Sequence, residues 1–328
     1  MAQVASKELP GCSDGGEIGS EATMSTAAAQ TTKTIGVTMS GRVVAGLIVD
    51  HKLSGPLHYF PEDPDDDAIV ELPSDGVVEK ICEQILAAAQ DSKDIGAVGV
   101  ALPGLIRQGV VEEAPNLPQL KGTRMQELLT QQLKNHGLNP KVVIMNDADA
   151  VASGLAATRG QLDKLTRVWT LGIGIGYGRY PLVEGVWEGG HSVVTLEEKE
   201  NFCGCGGRGH LEGIMGHRAM RLRFLDMEPD EVFEAAKRGD PRCLEFKKLW
   251  HKALAAATAT TFHMAGPSKV YLTGLNVHFV DLPMLKDYVR QMVTMSPLQS
   301  YSLEIIAADE KMAEIAVIGA GVTAEVSS

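Results

Sequence analysis

Lys141-Val142-Val143-Ile144-Met145-Asn146-Asp147-Ala148-Asp149-Ala150 is an apolar run that ends on Asn-Asp and passes at once into small residues. A short apolar run without alternation reads as a strand covered on both faces. The small residues from Ala148 to Arg159 read as a helix packed close to a sheet. A buried strand feeding such a helix is the repeating unit of α/β proteins.

Working upstream, Ile95–Leu102 is a second buried run, closed by the tight turn Pro103-Gly104. Val78, Ile81, Ile85, Leu86 and Ala89 recur at helical spacing over Val77–Ala89, and Met125–Asn135 is also helical. Thr34–Met39, Arg42–Asp50 and Pro56–Phe60 read as three consecutive strands, and Pro61–Asp67, with four Asp, as a loop. Downstream, a second cycle opens with a strand at Val168–Leu171, a glycine series and a strand reaching Val183. Helical patterns cover Leu211–Leu225, Glu245–Met264, Met284–Met295 and Ala313–Val322, with strands at Val270–Thr273 and Leu303–Ala307.

Both halves open on a strand and a glycine-bearing turn, which hints at an internal duplication. The expectation is a two-domain α/β chain with a largely parallel central sheet, divided into 33–147 and 148–328, the closing helix reaching back to the first domain. Residues 1–32 have no apolar period and read as a disordered tail.

Lys and Arg number 30 against 42 Asp and Glu, a formal net charge of −12. Such a balance disfavours nucleic-acid and anionic-membrane partners and reads as a solvated acidic surface. The cysteines, at 12, 82, 203, 205 and 243, are odd in number, and two are too close in sequence to bridge comfortably. With no secretory pattern at the N-terminus and no apolar run of about 18 residues, the expected compartment is a reducing cytoplasm. There, close cysteines bind metal more often than they pair.

The most chemical stretch is Cys203-Gly204-Cys205-Gly206-Gly207-Arg208-Gly209-His210-Leu211-Glu212. Two thiolates around one glycine can share an ion, and the next glycines let the chain turn back to present His210. His191, twelve residues before Cys203, completes four N/S ligands with no open position. That set describes a structural zinc site. The competing reading is a glycine-rich loop with incidental cysteines, and His210, which begins a helix, equally suits a cap.

The run resembles the CxCGxxGCxE signature of the ROK family of sugar kinases (repressors, open reading frames and kinases), with His210 in place of the third cysteine. The resemblance covers nearly everything after residue 32. Glu188-Gly189-Gly190-His191 matches the ExGH element, which in the family supplies a zinc ligand and sugar contacts. Pro103-Gly104 is similar to the turn beside the sugar, and Ala114-Pro115-Asn116-Leu117-Pro118 to the element whose asparagine binds a sugar hydroxyl. Asn146-Asp147-Ala148-Asp149-Ala150 resembles the element whose aspartate is the catalytic base, although a lone Asn-Asp after a strand also suits a helix cap. The resemblance implies an actin-like (ribonuclease H-like) ATPase fold with an interdomain cleft. It implies Asp147 as base, and Gly104, Asn116, Asn146, Glu188, His191 and Glu212 as hexose or amino-sugar contacts. It also implies structural Zn2+, Mg2+ and ATP as cofactors, and a homo-oligomer.

The chemistry is consistent with this, since a sugar hydroxyl attacks phosphorus poorly unless a positioned carboxylate takes its proton. The phosphate side departs from the family. Its DxGGT turn is here Thr38-Met39-Ser40-Gly41-Arg42, with threonine where the magnesium-positioning aspartate stands. Arg42 either binds phosphate directly or marks a site that no longer holds Mg–ATP. The GTGxGxG turn is Gly172-Ile173-Gly174-Ile175-Gly176-Tyr177-Gly178, which lacks the threonine hydroxyl, narrows at Tyr177 and also suits a plain strand-turn. The adenine-side element survives as Thr273-Gly274-Leu275-Asn276. Ser40, Gly41, Arg42, Gly172, Gly174, Gly176 and Gly274 are thus the expected donor-side residues.

The leading expectation is a glucokinase-like enzyme. Its rival is a sugar-binding protein that has lost Mg–ATP. A repressor is disfavoured, because family repressors carry an N-terminal helix-turn-helix and only about 32 residues precede the first strand here. Trp187 is either core or sugar-stacking, and His217 and Arg218 read as solvated or paired. The Ala- and Thr-rich helix over 245–264 allows close packing or a dimer contact.

Overall fold

A computed structural model of the chain describes residues 33–90, 92–183, 185, 188–309 and 311–327. The expected tail at 1–32 and Trp187 lie outside the described residues. Strands β1 (Lys33–Met39) and β2 (Val43–Val49) form an antiparallel pair, followed by short β3 (Lys52–Leu53) and β4 (His58–Phe60). Helices α1 (Ala68–Glu71) and α2 (Ser74–Ala89) lead to β5 (Ala97–Leu102). A hairpin of β6 (Leu105–Arg107) and β7 (Val110–Glu113) comes next, then α3 (Met125–Asn135), β8 (Lys141–Asn146) and α4 (Asp147–Thr158).

The second half opens with β9 (Thr166–Leu171) and β10 (Ile175–Tyr180). After the metal-candidate loop come α5 (Leu211–Met215), α6 (His217–Arg223), α7 (Pro229–Lys237) and α8 (Pro241–Ala265). The chain closes with β11 (Lys269–Thr273), α9 (Leu282–Met292), β12 (Ser302–Ile305) and α10 (Lys311–Val326).

The two main sheets repeat one pattern. In the first, β1 pairs antiparallel with β2 and parallel with β5, which is parallel to β8. In the second, β9 pairs antiparallel with β10 and parallel with β11, which is parallel to β12. The hinted duplication is therefore a repeat of topology, and each sheet is mixed rather than purely parallel.

Layering explains the small residues. Helices α2 and α3 cover one face of the first sheet, and α5, α8 and α9 complete the core of the second. Between the sheets lie α10, packed on β1 and β5, and α4, packed on β9 and β10. These layers meet backbone to backbone. A Cβ on Gly36 would lie 1.7 Å from the Val317 carbonyl oxygen, and one on Gly99 1.9 Å from that of Ala320. Where the two helices cross, a Cβ on Gly154 would lie 1.8 Å from the Ile315 oxygen and one on Gly319 1.8 Å from that of Ala150. The described residues fall within one compact unit.

Two expectations need correction. Leu211–Leu225 is not one helix but two, parted at Gly216, whose ψ of 143° is extended. The glycine series is not all turn: Gly176 and Gly178 lie inside β10, in register with Thr170 and Val168.

Candidate functional site

Ser192–Val194 and Gly209–Leu211 run side by side, with Val194 N–H donating to Gly209 O at 2.8 Å and Leu211 N–H to Ser192 O at 3.0 Å. This pairing sets His191 next to His210. His210 stands at the N-terminus of α5 but makes no side-chain cap; its ring turns into the loop instead. Gly207 permits that turn, because a Cβ there would lie 2.1 Å from the imidazole Cε1.

The ligand atoms of His191, Cys203, Cys205 and His210 all lie within 4.8 Å of one another. His191 Nδ1 is 3.3 Å from His210 Nδ1 and 3.5 Å from Cys203 Sγ. Cys205 Sγ is 3.4 Å from Cys203 Sγ and 3.3 Å from His210 Nδ1. A tetrahedral zinc with bonds of about 2.0–2.3 Å has ligand–ligand edges of about 3.3–3.8 Å. The donor set and its spacing fit that ion. Burial pushes the Cys203 thiol up to about 12, with Cys205 and Glu212 adding to the rise. A divalent cation is what would hold it as thiolate.

The other ring nitrogen of His191 points away from the cluster, 3.8 Å from Glu188 Oε2. Burial raises the Glu188 carboxyl above its ordinary value, opposed by His191 and reinforced by Glu212. Asp147, at the first position of α4, accepts from Ala148 N–H at 2.9 Å. Burial lifts its carboxyl to about 6, with the Glu188 charge adding to the rise and the backbone N–H groups opposing it. His191 thus links the metal cluster to Glu188, and Glu188 is electrostatically coupled to Asp147.

Asn146 fills the cap role: its Oδ1 accepts from Ala148 N–H at 2.9 Å. Its Nδ2 donates to Gly104 O, also at 2.9 Å, tying the Pro103-Gly104 turn to the start of α4. Gly104 (φ 118°) packs on the Glu113 carbonyl, where a Cβ would approach to 2.2 Å. Asn116 is exposed in the turn that follows Ala114.

Glu212 joins two parts of the site. Its Oε2 accepts from Ile175 N–H at 3.0 Å, and its Oε1 lies 3.7 Å from Cys203 Sγ.

On the donor side, Thr38 is buried in β1 opposite Val44. Ser40 and Gly41 form the exposed turn into β2. Arg42 folds back, with Nε donating to Pro61 O at 2.9 Å and Nη2 to Glu62 O at 2.6 Å, its guanidinium over the Tyr59 ring. The second turn, Gly172-Ile173-Gly174, is held from behind. Gly172 O accepts from His217 N–H at 3.1 Å and from Asn276 Nδ2 at 3.0 Å. Gly274 (φ 103°) sits against the end of β9, its Cβ position 2.5 Å from Leu171 O. Gly176 makes room for the cross-strand Thr170 side chain, its Cβ position 2.3 Å from Thr170 Oγ1, and Tyr177 packs on Trp169 with ring centroids 4.8 Å apart rather than narrowing the turn. Ile173 at the tip, with His217, Arg218, Arg221, Leu222 and Leu225, lines a cavity of about 740 Å³.

Sequence reasoning missed Asn276 as a buried brace, though it lies in the adenine-side run at 273–276. It also missed Asp149, whose buried carboxylate accepts from Arg179 N–H at 2.9 Å and docks β10 on α4. Its place two residues after Asp147 was the available signal.

The model of the ROK family matches residues 67–325. The chain belongs to the ROK family. It is 29% identical over 212 residues to a glucokinase of Pyrobaculum calidifontis, covering 60% of this chain and 67% of that protein. It is 31% identical over 240 residues to a glucokinase of Thermotoga maritima, covering 63% of this chain and 72% of the relative. The crystal structure of a ROK hexokinase from Thermus thermophilus superposes with a TM-score of 0.71 at 23% identity, covering 90% of this chain and 99% of that one. The fold is thus the actin-like ATPase fold of the ROK structures. Among the described residues of this ROK chain, no helix is long and apolar enough to cross a membrane.

Proposed function

We propose that this chain is a ROK sugar kinase that transfers a phosphoryl group from ATP, or another phosphoryl donor, to a hexose such as glucose. The observation that carries the reading is Asp147, a carboxyl lifted to about 6 at the start of a helix and coupled to Glu188. A group with that poise is ionised at neutral pH yet basic enough to take a proton from a sugar hydroxyl as it attacks phosphorus. Asn146, Gly104 and Asn116 border the sugar on one side, Glu188 and His191 on the other. The two glucokinase relatives agree with this reading.

His191, Cys203, Cys205 and His210 would hold a structural zinc. When bound, it supplies no step of the reaction and fixes the loop that presents His191. The phosphoryl donor is assigned to the Gly172–Gly174 turn, with Ser40, Gly41 and Gly274 nearby in the family arrangement. The adjoining cavity is apolar at Leu222 and Leu225 and offers Arg218, while Arg221 is paired with Glu228 at 2.9 Å and Asp226 and Glu231 also line it. The halves 33–147 and 148–328 act as two domains that close on the substrates and exclude water from the donor. A reducing cytoplasm and a homo-oligomer complete the proposal.

A second reading has its own observation. Thr38 offers no carboxylate for Mg2+, and Arg42 is committed to the Pro61 and Glu62 carbonyls. These favour a sugar-binding ROK protein without Mg–ATP. Calorimetric titration with glucose and with Mg–ATP separately, beside a kinase assay with ATP or polyphosphate, separates the two. Turnover supports the kinase, whereas sugar binding with neither nucleotide binding nor turnover supports the second reading.

A further inference from the structure

The loop that carries the candidate zinc ligands has a second fixture that uses none of them. Glu200, three residues before Cys203, is 3% exposed. Its carboxylate receives a two-pronged donation from Arg223 on α6, Nη1 to Oε1 at 3.1 Å and Nη2 to Oε2. The Arg223 guanidinium lies over the Phe202 ring at 4.4 Å and is 5.4 Å from the Phe246 ring centroid. The main chain of the same glutamate closes the loop, since Glu200 O accepts from Gly209 N–H at 2.7 Å, one residue before His210. One residue therefore shuts the ring of chain containing Cys203 and Cys205, with His210 next to its closing bond, and fastens that ring to a helix.

A buried carboxylate–guanidinium pair is a poor way to gain stability alone, because desolvating both ions offsets much of their attraction and an apolar pair does as well. What an apolar pair cannot provide is direction. A forked, charge-assisted contact fixes the angle as well as the distance of what it holds. Ligand cages keep their metal through such outer contacts.

We infer that Glu200 and Arg223 are a positioning pair that holds the loop in its ligand-bearing shape and thereby sets how long the protein retains zinc. The inference rests on the zinc reading of the four-residue cluster.

The test loads full-length wild type, Glu200→Gln and Arg223→Lys with zinc, measures bound metal, and follows its release to excess chelator. Leu129→Ala, a core truncation under the first sheet, serves as a destabilised control. Cobalt(II) substitution reports ligand geometry through its thiolate charge-transfer and d–d bands. The expected result is tetrahedral cobalt spectra in all four proteins. Release should be about 10–100-fold faster in Glu200→Gln, with a smaller acceleration in Arg223→Lys, which keeps the charge and loses the fork. Release at the wild-type rate, or no faster than in Leu129→Ala, overturns the inference. Wild type that binds no zinc overturns the metal reading itself and is recognised before any variant is compared. Should Glu200→Gln fail to fold, Arg223→Lys decides the matter on the same measurement.

Discussion

Glu212 accepts from the Ile175 N–H at 3.0 Å while its second carboxylate oxygen lies 3.7 Å from Cys203 Sγ. One side chain thus spans from the metal-candidate loop to the first residue of β10, just past the Gly172–Gly174 turn. A hydrogen bond to an ionised acceptor contributes about 1.5–3 kcal/mol. Glu212→Ala should therefore lower hydrogen-exchange protection of the Ile175 amide by roughly 10–100-fold, by the same conversion. Exchange measured by NMR or mass spectrometry on peptides covering 172–180 checks this, and unchanged protection would show the contact to be idle.

Asp147→Asn should lower turnover by about 10²–10⁴-fold, the usual contribution of a general base, with sugar binding by calorimetry kept within a few-fold. Wild-type kcat/KM should fall as pH drops through about 6, where Asp147 takes up its proton.

The same substitution carries a stability signature. The Asp147 carboxyl is raised from 3.8 to about 6, so between those values the folded chain binds a proton the unfolded chain has released. Stability contributed here is full below the lower value and lost as pH rises through the upper one. Asp147→Asn removes that loss and should stabilise the protein by about 1–2 kcal/mol at pH 7, reduced from the full shift by solvent screening. At pH 4 the gain should nearly vanish. Urea denaturation at both pH values reads the difference.

His251 works in the opposite sense. It is fully buried, its Nδ1 2.7 Å from Lys247 O and its Nε2 accepting from Asp281 N–H at 2.8 Å. Burial lowers it from 6.5 to about 4. Between those values the unfolded chain binds a proton the folded one refuses. Stability is therefore present above 6.5 and lost as pH falls toward 4, by up to about 3 kcal/mol. His251→Gln should flatten the slope of unfolding free energy between pH 6.5 and 4.5 while lowering stability at pH 7.

Gly319→Ala places a methyl group 1.8 Å from the Ala150 carbonyl, a backbone atom that cannot turn aside. The helices must part, at a cost above the ~1–3 kcal/mol of ordinary overpacking. Thermal denaturation should show a large fall in Tm or no folded protein.

Much of this was legible in the chain. Lys141–Met145 read as a buried strand because it is one, and the small residues after it do face a neighbouring backbone. The four metal candidates were legible because two thiols and two imidazoles gathered by glycines suit little besides a metal ion. The break in Leu211–Leu225 was not, because periodicity records only what a helix buries. At Gly216 the chain answers to tertiary contacts instead: a Cβ there would lie 2.9 Å from Ile173 O, and His217 N–H is drawn to Gly172 O. Gly178 was misplaced because a glycine needed for a flush approach to α4, its Cβ position 1.9 Å from Ala148 O, looks in sequence like one needed for a turn. The β6–β7 hairpin left a clue unused, since Gln108-Gly109 takes positive φ at both positions, 50° and 75°.

The seam between α4 and α10 carries a mechanical consequence. Backbone meets backbone there at Gly154 and Gly319, and the buried Thr323 Oγ1 pins the crossing by donating to Ser153 Oγ at 2.8 Å. α10 carries the first sheet and α4 the second. Asp147 sits where β8 of the first sheet becomes α4 of the second. Asp147 is thereby moored to both layers at once, at the point where the chain passes directly from the strand of one sheet to the helix that carries the other.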